Sequence, residues 1–152
     1  MAPPSTPPTP KVWSLEEANA LLPDLTFRIG RQMVLLAEIE DGFRRLQARE
    51  GAVDEESLEP SSSDPSDLAS LKQGIRDRLE KFRTGWREIE ALGVLVKDPR
   101  IGLVDFYGQV EGEIVFLCWQ YGEPAVAYWH TLDGGFASRQ PLDVAAGPRM
   151  LN

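Results

Sequence analysis

Apolar residues recur with a helical period over most of the first ninety residues. From Pro23 to about Glu50 the repeating positions are Leu22, Leu25, Ile29, Gln32, Leu36, Ile39, Phe43 and Leu46, a 3–4 alternation with one polar member, Gln32. Met33, Val34 and Leu35 widen the stripe, while Arg28, Arg31, Glu38, Asp41, Arg44, Arg45 and Arg49 make a solvated charged face. A second run, Leu68, Leu71, Ile75, Leu79, Phe82, Trp86 and Ile89, has the same period, begins at Ser66 or Asp67 and reaches about Leu92. Gly93 stands where a left-handed C-cap is wanted. Two long amphipathic helices joined by a loop predict an antiparallel helical hairpin with coiled-coil-like packing. Gly74 and Gly85 weaken the second helix, and a close helix contact is one reason to keep them. Upstream, Ser14 and Glu17 form a capping-box pattern that starts a short helix through about Leu22. Pro23 predicts a break or kink before the long helix begins.

After Gly93 the period drops toward two. Val94–Val96 is a brief candidate edge strand, and 97–100 is a turn. Ile101–Tyr107, Glu113–Gln120 and Ala125–His130 are rich in β-branched and aromatic residues and joined by short glycine-containing loops. They predict a three-stranded antiparallel meander, so the fold class is α+β: a long antiparallel helical hairpin packed with a β-meander. A first loop centred on Val110 sets Asp105 opposite Val115, and a second centred between Gly122 and Glu123 sets Val115 opposite His130. Asp105, Val115, Leu117, Trp119 and His130 then share one face. Val104, Phe106, Phe116, Cys118 and Trp129 share the other.

Composition narrows the function classes. With 152 residues, 42% apolar and 26% charged, the chain fits one soluble domain with a real core. The expected map is a disordered Pro-rich tail over 1–11, a single α+β domain over 12–142 with a flexible acidic, Ser/Pro-rich loop at about 51–67, and a C-terminal tail over 143–152. A net charge of −8 argues against a general nucleic-acid binder and against anionic membrane surfaces. No apolar run approaches the roughly 20 residues of a membrane span. The N-terminus lacks a signal-peptide pattern, and a single cysteine excludes an internal disulfide framework, so a cytoplasmic location is expected.

The candidate chemistry gathers at one end of the meander. Asp105, Glu123, His130 and Asp133 offer one imidazole and three carboxylates, a workable set for one divalent metal, Zn²⁺, Mn²⁺ or Fe²⁺, able to acidify a bound water. Glu90, near the end of the second helix, is a candidate further ligand. Arg139 is placed to bind an anion or to pair with Asp133. The plain structural alternative is a histidine satisfied by a carboxylate or a carbonyl. Cys118, on the face opposite His130, reads as a buried core thiol rather than a nucleophile. No phosphate loop, nucleophile elbow or HExxH helix is present. Two functions stand side by side: a small metal-binding protein, and a non-catalytic interaction module that forms a homo-oligomer through its helices.

WSLEEANALLPDL at the start, ALGVLVKDPRIGLVDF in the centre and LCWQYGEPAVAYWHTLDGGFASRQPL at the end together resemble a bacterial family, domain of unknown function 2203. The resemblance spans residues 12–142 and is most specific in the last block. It implies no established activity. It does place Asp105, His130, Asp133 and Arg139 inside motif blocks.

Overall fold

A computed structural model describes residues 10–142 and the backbone of 150–151. The tails expected at 1–11 and 143–152 lie almost wholly outside those residues. Helix α1 spans Leu15–Glu50 and helix α2 spans Ser66–Glu90. Strands β1 Leu95–Asp98, β2 Leu103–Val110, β3 Glu113–Gln120, β4 Tyr128–His130 and β5 Gln140–Pro141 follow in chain order as an antiparallel sheet. A two-residue β6, Met150–Leu151, pairs with the end of β2. The molecule is thus α+β: the expected meander is β2–β3–β4, with its last strand only Tyr128–His130 rather than 125–130; the candidate edge strand is β1, running to Asp98 into the expected turn; and β5 is added at the other edge.

The capping box forms as expected: Glu17 N–H donates to Ser14 Oγ at 3.0 Å and Ser14 N–H to Glu17 Oε1 at 3.1 Å. The break expected at Pro23 does not occur, and α1 continues through it for 36 residues in all. Proline deprives the Asn19 carbonyl of its helical donor and costs about 3 kcal/mol in a helix interior. Against that, Ala18 and Leu22 before Pro23 and Leu25 and Ile29 after it are all buried in one core, at 7% exposure or less. Each buried Leu or Ile contributes about 1.5–3 kcal/mol, so packing outweighs the lost bond.

The two helices run antiparallel, and the seam's polar member is satisfied across it. Gln32 Nε2 donates to the Phe82 carbonyl of α2 at 2.7 Å. Gly85 makes room for this, because a Cβ there would overlap the Gln32 carboxamide. Gly74 has no such close partner: a Cβ there would meet only Arg78 of its own helix. The connecting segment is not all irregular. Glu55–Leu58 forms a 3-10 turn that buries Leu58 against Leu46, Leu68 and Ile75, closing that end of the hairpin.

The sheet register differs from the expected one. The β2–β3 loop has only two residues, Glu111 and Gly112, both at positive φ (53° and 85°). That is the type I′ geometry favoured in tight hairpins, and Gly112 suits its second position. Val110 therefore pairs with Glu113, and Asp105 pairs with Cys118 rather than Val115. A slip of three residues is odd, so it turns β3 over. His130 pairs with Phe116 instead of Val115. The packing gain is clear: Leu117 and Trp119 now join Val104 and Phe106 in the core beneath the helices, beside Leu25, Ile29, Trp86 and Ile89. Asp105, Cys118 and His130 share the other face.

Candidate metal centre

Three adjacent strands each contribute one side chain to the face away from the helices: Asp105 from β2, Cys118 from β3 and His130 from β4. All three are buried, at 1%, 0% and 3% exposure. One ligand atom of each lies within 4.8 Å of the others, close enough to hold a metal ion. Flanking rings wall the cluster in. Phe116 packs on the His130 ring with centroids 5.4 Å apart and on Tyr107 at 4.9 Å, and Lys97 Nζ lies 4.3 Å from the Phe116 centroid.

The hydrogen bonds fix where the imidazole protons sit. His130 Nδ1 is 2.8 Å from the Thr131 carbonyl oxygen, which can only accept, so Nδ1 carries a proton. His130 Nε2 is 3.0 Å from Asp105 Oδ2. One proton bridges that contact, held as imidazolium and carboxylate or as neutral imidazole and carboxylic acid. Burial raises the Asp105 pKa above its ordinary value, against the opposing pull of His130, Cys118 and Lys97. Asp105 Oδ1 is buried without a hydrogen-bond partner. The Cys118 thiol lies beside the carboxyl group, near enough to act on its charge, but without the geometry of a hydrogen bond to Oδ1.

Cys118 is not an activated nucleophile. Burial and the neighbouring Asp105 push its pKa up to about 12, with Arg139 opposing. At neutral pH it is a protonated, enclosed thiol, whereas reactive cysteines have depressed pKa values and partial exposure.

Beside the cluster stands a second polar group. Arg139 donates to both Glu123 oxygens, from Nη1 at 3.0 Å and Nη2 at 2.6 Å. Its guanidinium packs between the rings of Tyr128 and Phe136, at 3.9 and 4.3 Å, and Nη1 reaches 3.8 Å from Cys118 Sγ. Glu123 also accepts from Gln120 N–H at 2.7 Å. Burial works to raise the Glu123 pKa, but Arg139 and the Gln120 amide outweigh it and hold the carboxylate below its ordinary value. The Glu123 hydrogen bond raises the Arg139 pKa further still.

Of the residues singled out in the sequence, the fold brings Asp105 and His130 together. Glu123 is taken up by Arg139, which pairs with it and not with Asp133. Asp133 is exposed in the turn after β4, and Glu90 is exposed at the end of α2. Cys118 is the member that sequence reasoning assigned to the wrong face. The signal that could have found it is Glu111-Gly112: a two-residue loop between Val110 and Glu113 puts Cys118 opposite Asp105.

Fold and site together define a small α+β protein with a helical hairpin on one side of an antiparallel sheet and a buried Asp/Cys/His cluster on the other. The profile of the family described as "Uncharacterized conserved protein (DUF2203)" matches residues 11–142, and the chain belongs to that family. No curated protein and no solved structure matches it. Among the described residues, no helix is long and apolar enough to cross a membrane.

Proposed function

We propose that this protein binds one divalent cation, of the Zn²⁺ class, through Asp105, Cys118 and His130. The observation that carries the reading is Asp105 Oδ1: a carboxylate oxygen buried without a partner, on a carboxyl group that lies within 4.8 Å of a buried thiol and a buried imidazole. An unsatisfied buried carboxylate oxygen costs about 1–3 kcal/mol, and a cation removes that cost. His130 is already oriented as a ligand. Its Nδ1–H on the Thr131 carbonyl is the outer contact that metal-bound histidines usually make, and it leaves Nε2 to the metal. A thiolate and a carboxylate neutralise a divalent ion, so the loaded site carries no net charge into the interior. The thiolate favours Zn²⁺ or Fe²⁺ over Mn²⁺, which prefers oxygen ligands.

Elemental analysis of protein purified without a histidine tag tests this. About one Zn²⁺ or Fe²⁺ per chain is expected in the parent and little in Cys118→Ser or His130→Ala. A parent protein that neither carries a metal nor takes one up after dialysis against Zn²⁺ sinks the proposal.

A further inference from the structure

We infer that Arg139 is the positioning residue of Cys118: its guanidinium donates an N–H to the sulfur and holds the thiolate in place for the cation. The inference rests on the metal-binding reading above and deepens it, by naming what fixes the sulfur ligand.

His130 has its outer contact in the Thr131 carbonyl. Cys118 has Arg139, whose Nη1 lies 3.8 Å from Sγ. Nη1 and Nη2 of a guanidinium carry two hydrogens each. One from each goes to Glu123, Nη1 to Oε1 at 3.0 Å and Nη2 to Oε2 at 2.6 Å. Nη1 therefore keeps a second hydrogen, and Cys118 Sγ is the acceptor it reaches. A neutral thiol accepts weakly, and a separation of 3.8 Å suits a weak bond. A thiolate is charged, and hydrogen bonds to charged acceptors are shorter and stronger. Arg139 thus holds the sulfur more firmly in its deprotonated, ligating form.

The donor is itself held in place. Tyr128 and Phe136 lie 3.9 and 4.3 Å from the guanidinium carbon. Glu123, its anion, is anchored to the end of β3: the carboxylate accepts from the Gln120 N–H at 2.7 Å, and the Glu123 carbonyl accepts from Trp119 Nε1 at 3.0 Å. Cys118, Trp119 and Gln120 are consecutive, so the donor is keyed to the strand that carries its acceptor. Glu123 also settles the charge. A lone guanidinium beside the cluster would repel a cation, whereas the bidentate carboxylate balances it and still leaves one N–H for the sulfur. Outer-shell partners of this kind orient a ligand and tune its donor strength.

Co²⁺ titration of the full chain, followed by the energy of the thiolate charge-transfer band, tests the inference. An N–H bonded to a thiolate draws electron density from sulfur and moves that band to higher energy. Arg139→Met should shift it to lower energy and raise the Co²⁺ dissociation constant about ten- to a hundredfold. Phe136→Leu removes a ring that is 43% exposed but keeps the donor, so the band should stay in place. Should Arg139→Met lose its fold by circular dichroism, Arg139→Lys decides. Its ammonium cannot serve Glu123 and the sulfur as the planar fork does, so the band should move the same way by a smaller amount. A parent band that folded Arg139→Met leaves unmoved, or that Arg139→Lys leaves unmoved where it decides, overturns this inference and spares the metal reading. So does a shift that Phe136→Leu reproduces in full, since packing then explains it. A parent with no thiolate band overturns both.

Discussion

At the scale of single residues, the site turns on where protons lie. In the metal-free protein one proton bridges Asp105 and His130 and another sits on the Cys118 thiol. Loading the proposed site must remove both, since its ligands would be carboxylate, thiolate and neutral imidazole. Zn²⁺ binding measured by calorimetry in buffers of different ionisation enthalpy should therefore show release of the bridging proton and the thiol proton. Release of one alone would mean that Cys118 stays protonated and is not a ligand. The free thiol should resist iodoacetamide in the folded protein at neutral pH and react fully in denaturant. Fast labelling of the native state would contradict both its burial and its raised pKa.

Asp105 gives a pH dependence of defined sign. Burial raises its folded pKa above the unfolded value, so the folded state holds its proton more tightly. The stability this contributes is fully present below the unfolded carboxyl pKa and is lost as pH rises through the raised, folded one. In chelator, Asp105→Asn should be more stable than the parent above that window, and the difference should shrink as pH falls through it. Melting temperature against pH reads this directly. A constant gap across the range would show that Asp105 has the same pKa in both states.

At the scale of elements, the helices were largely legible in the sequence because their apolar period is long and redundant. One polar intruder, Gln32, did not hide it. Pro23 misled because local propensity is weighed against packing that the sequence does not display, and here four buried side chains, two on either side of it, prevail. The two glycines of α2 looked alike in sequence, yet only Gly85 lies under Gln32. A double substitution separates them. Gly85→Ala should destabilise by about 2 kcal/mol, since the methyl expels a buried, bonded carboxamide. In a Gln32→Ala background the same change should instead stabilise by up to about 1 kcal/mol, as alanine outranks glycine in a helix. Chemical denaturation of the four proteins decides it, and equal effects in both backgrounds would refute the contact.

The strands show the opposite balance. Their existence and antiparallel order were legible, but their faces were not, because a period of two carries no margin: any odd slip inverts a strand. One turn decided it. Reading Glu111-Gly112 as a tight loop turns Cys118 from a core thiol into a neighbour of Asp105. Glu123 and Asp133 were plausible ligands by type, but the sequence could not show that Arg139 would claim the first and that solvent would keep the second.

At the scale of the whole molecule, the sheet separates two roles. Its helix side carries the apolar core, and its other side holds polar groups that strands bring together from positions 105, 118 and 130. Because the proposed metal site exists only where those three strands are assembled, loading it should couple to global stability. At a free Zn²⁺ concentration a thousandfold above the dissociation constant, the gain is about 4 kcal/mol. The helical hairpin takes no part in the site.

The most direct measurement is the visible spectrum of the Co²⁺-substituted protein. Intense tetrahedral bands with a thiolate charge-transfer feature are expected, saturating near one Co²⁺ per chain and losing the thiolate feature in Cys118→Ser. A weak octahedral spectrum in the parent, or one unchanged by Cys118→Ser, would contradict a metal centre built on Asp105, Cys118 and His130.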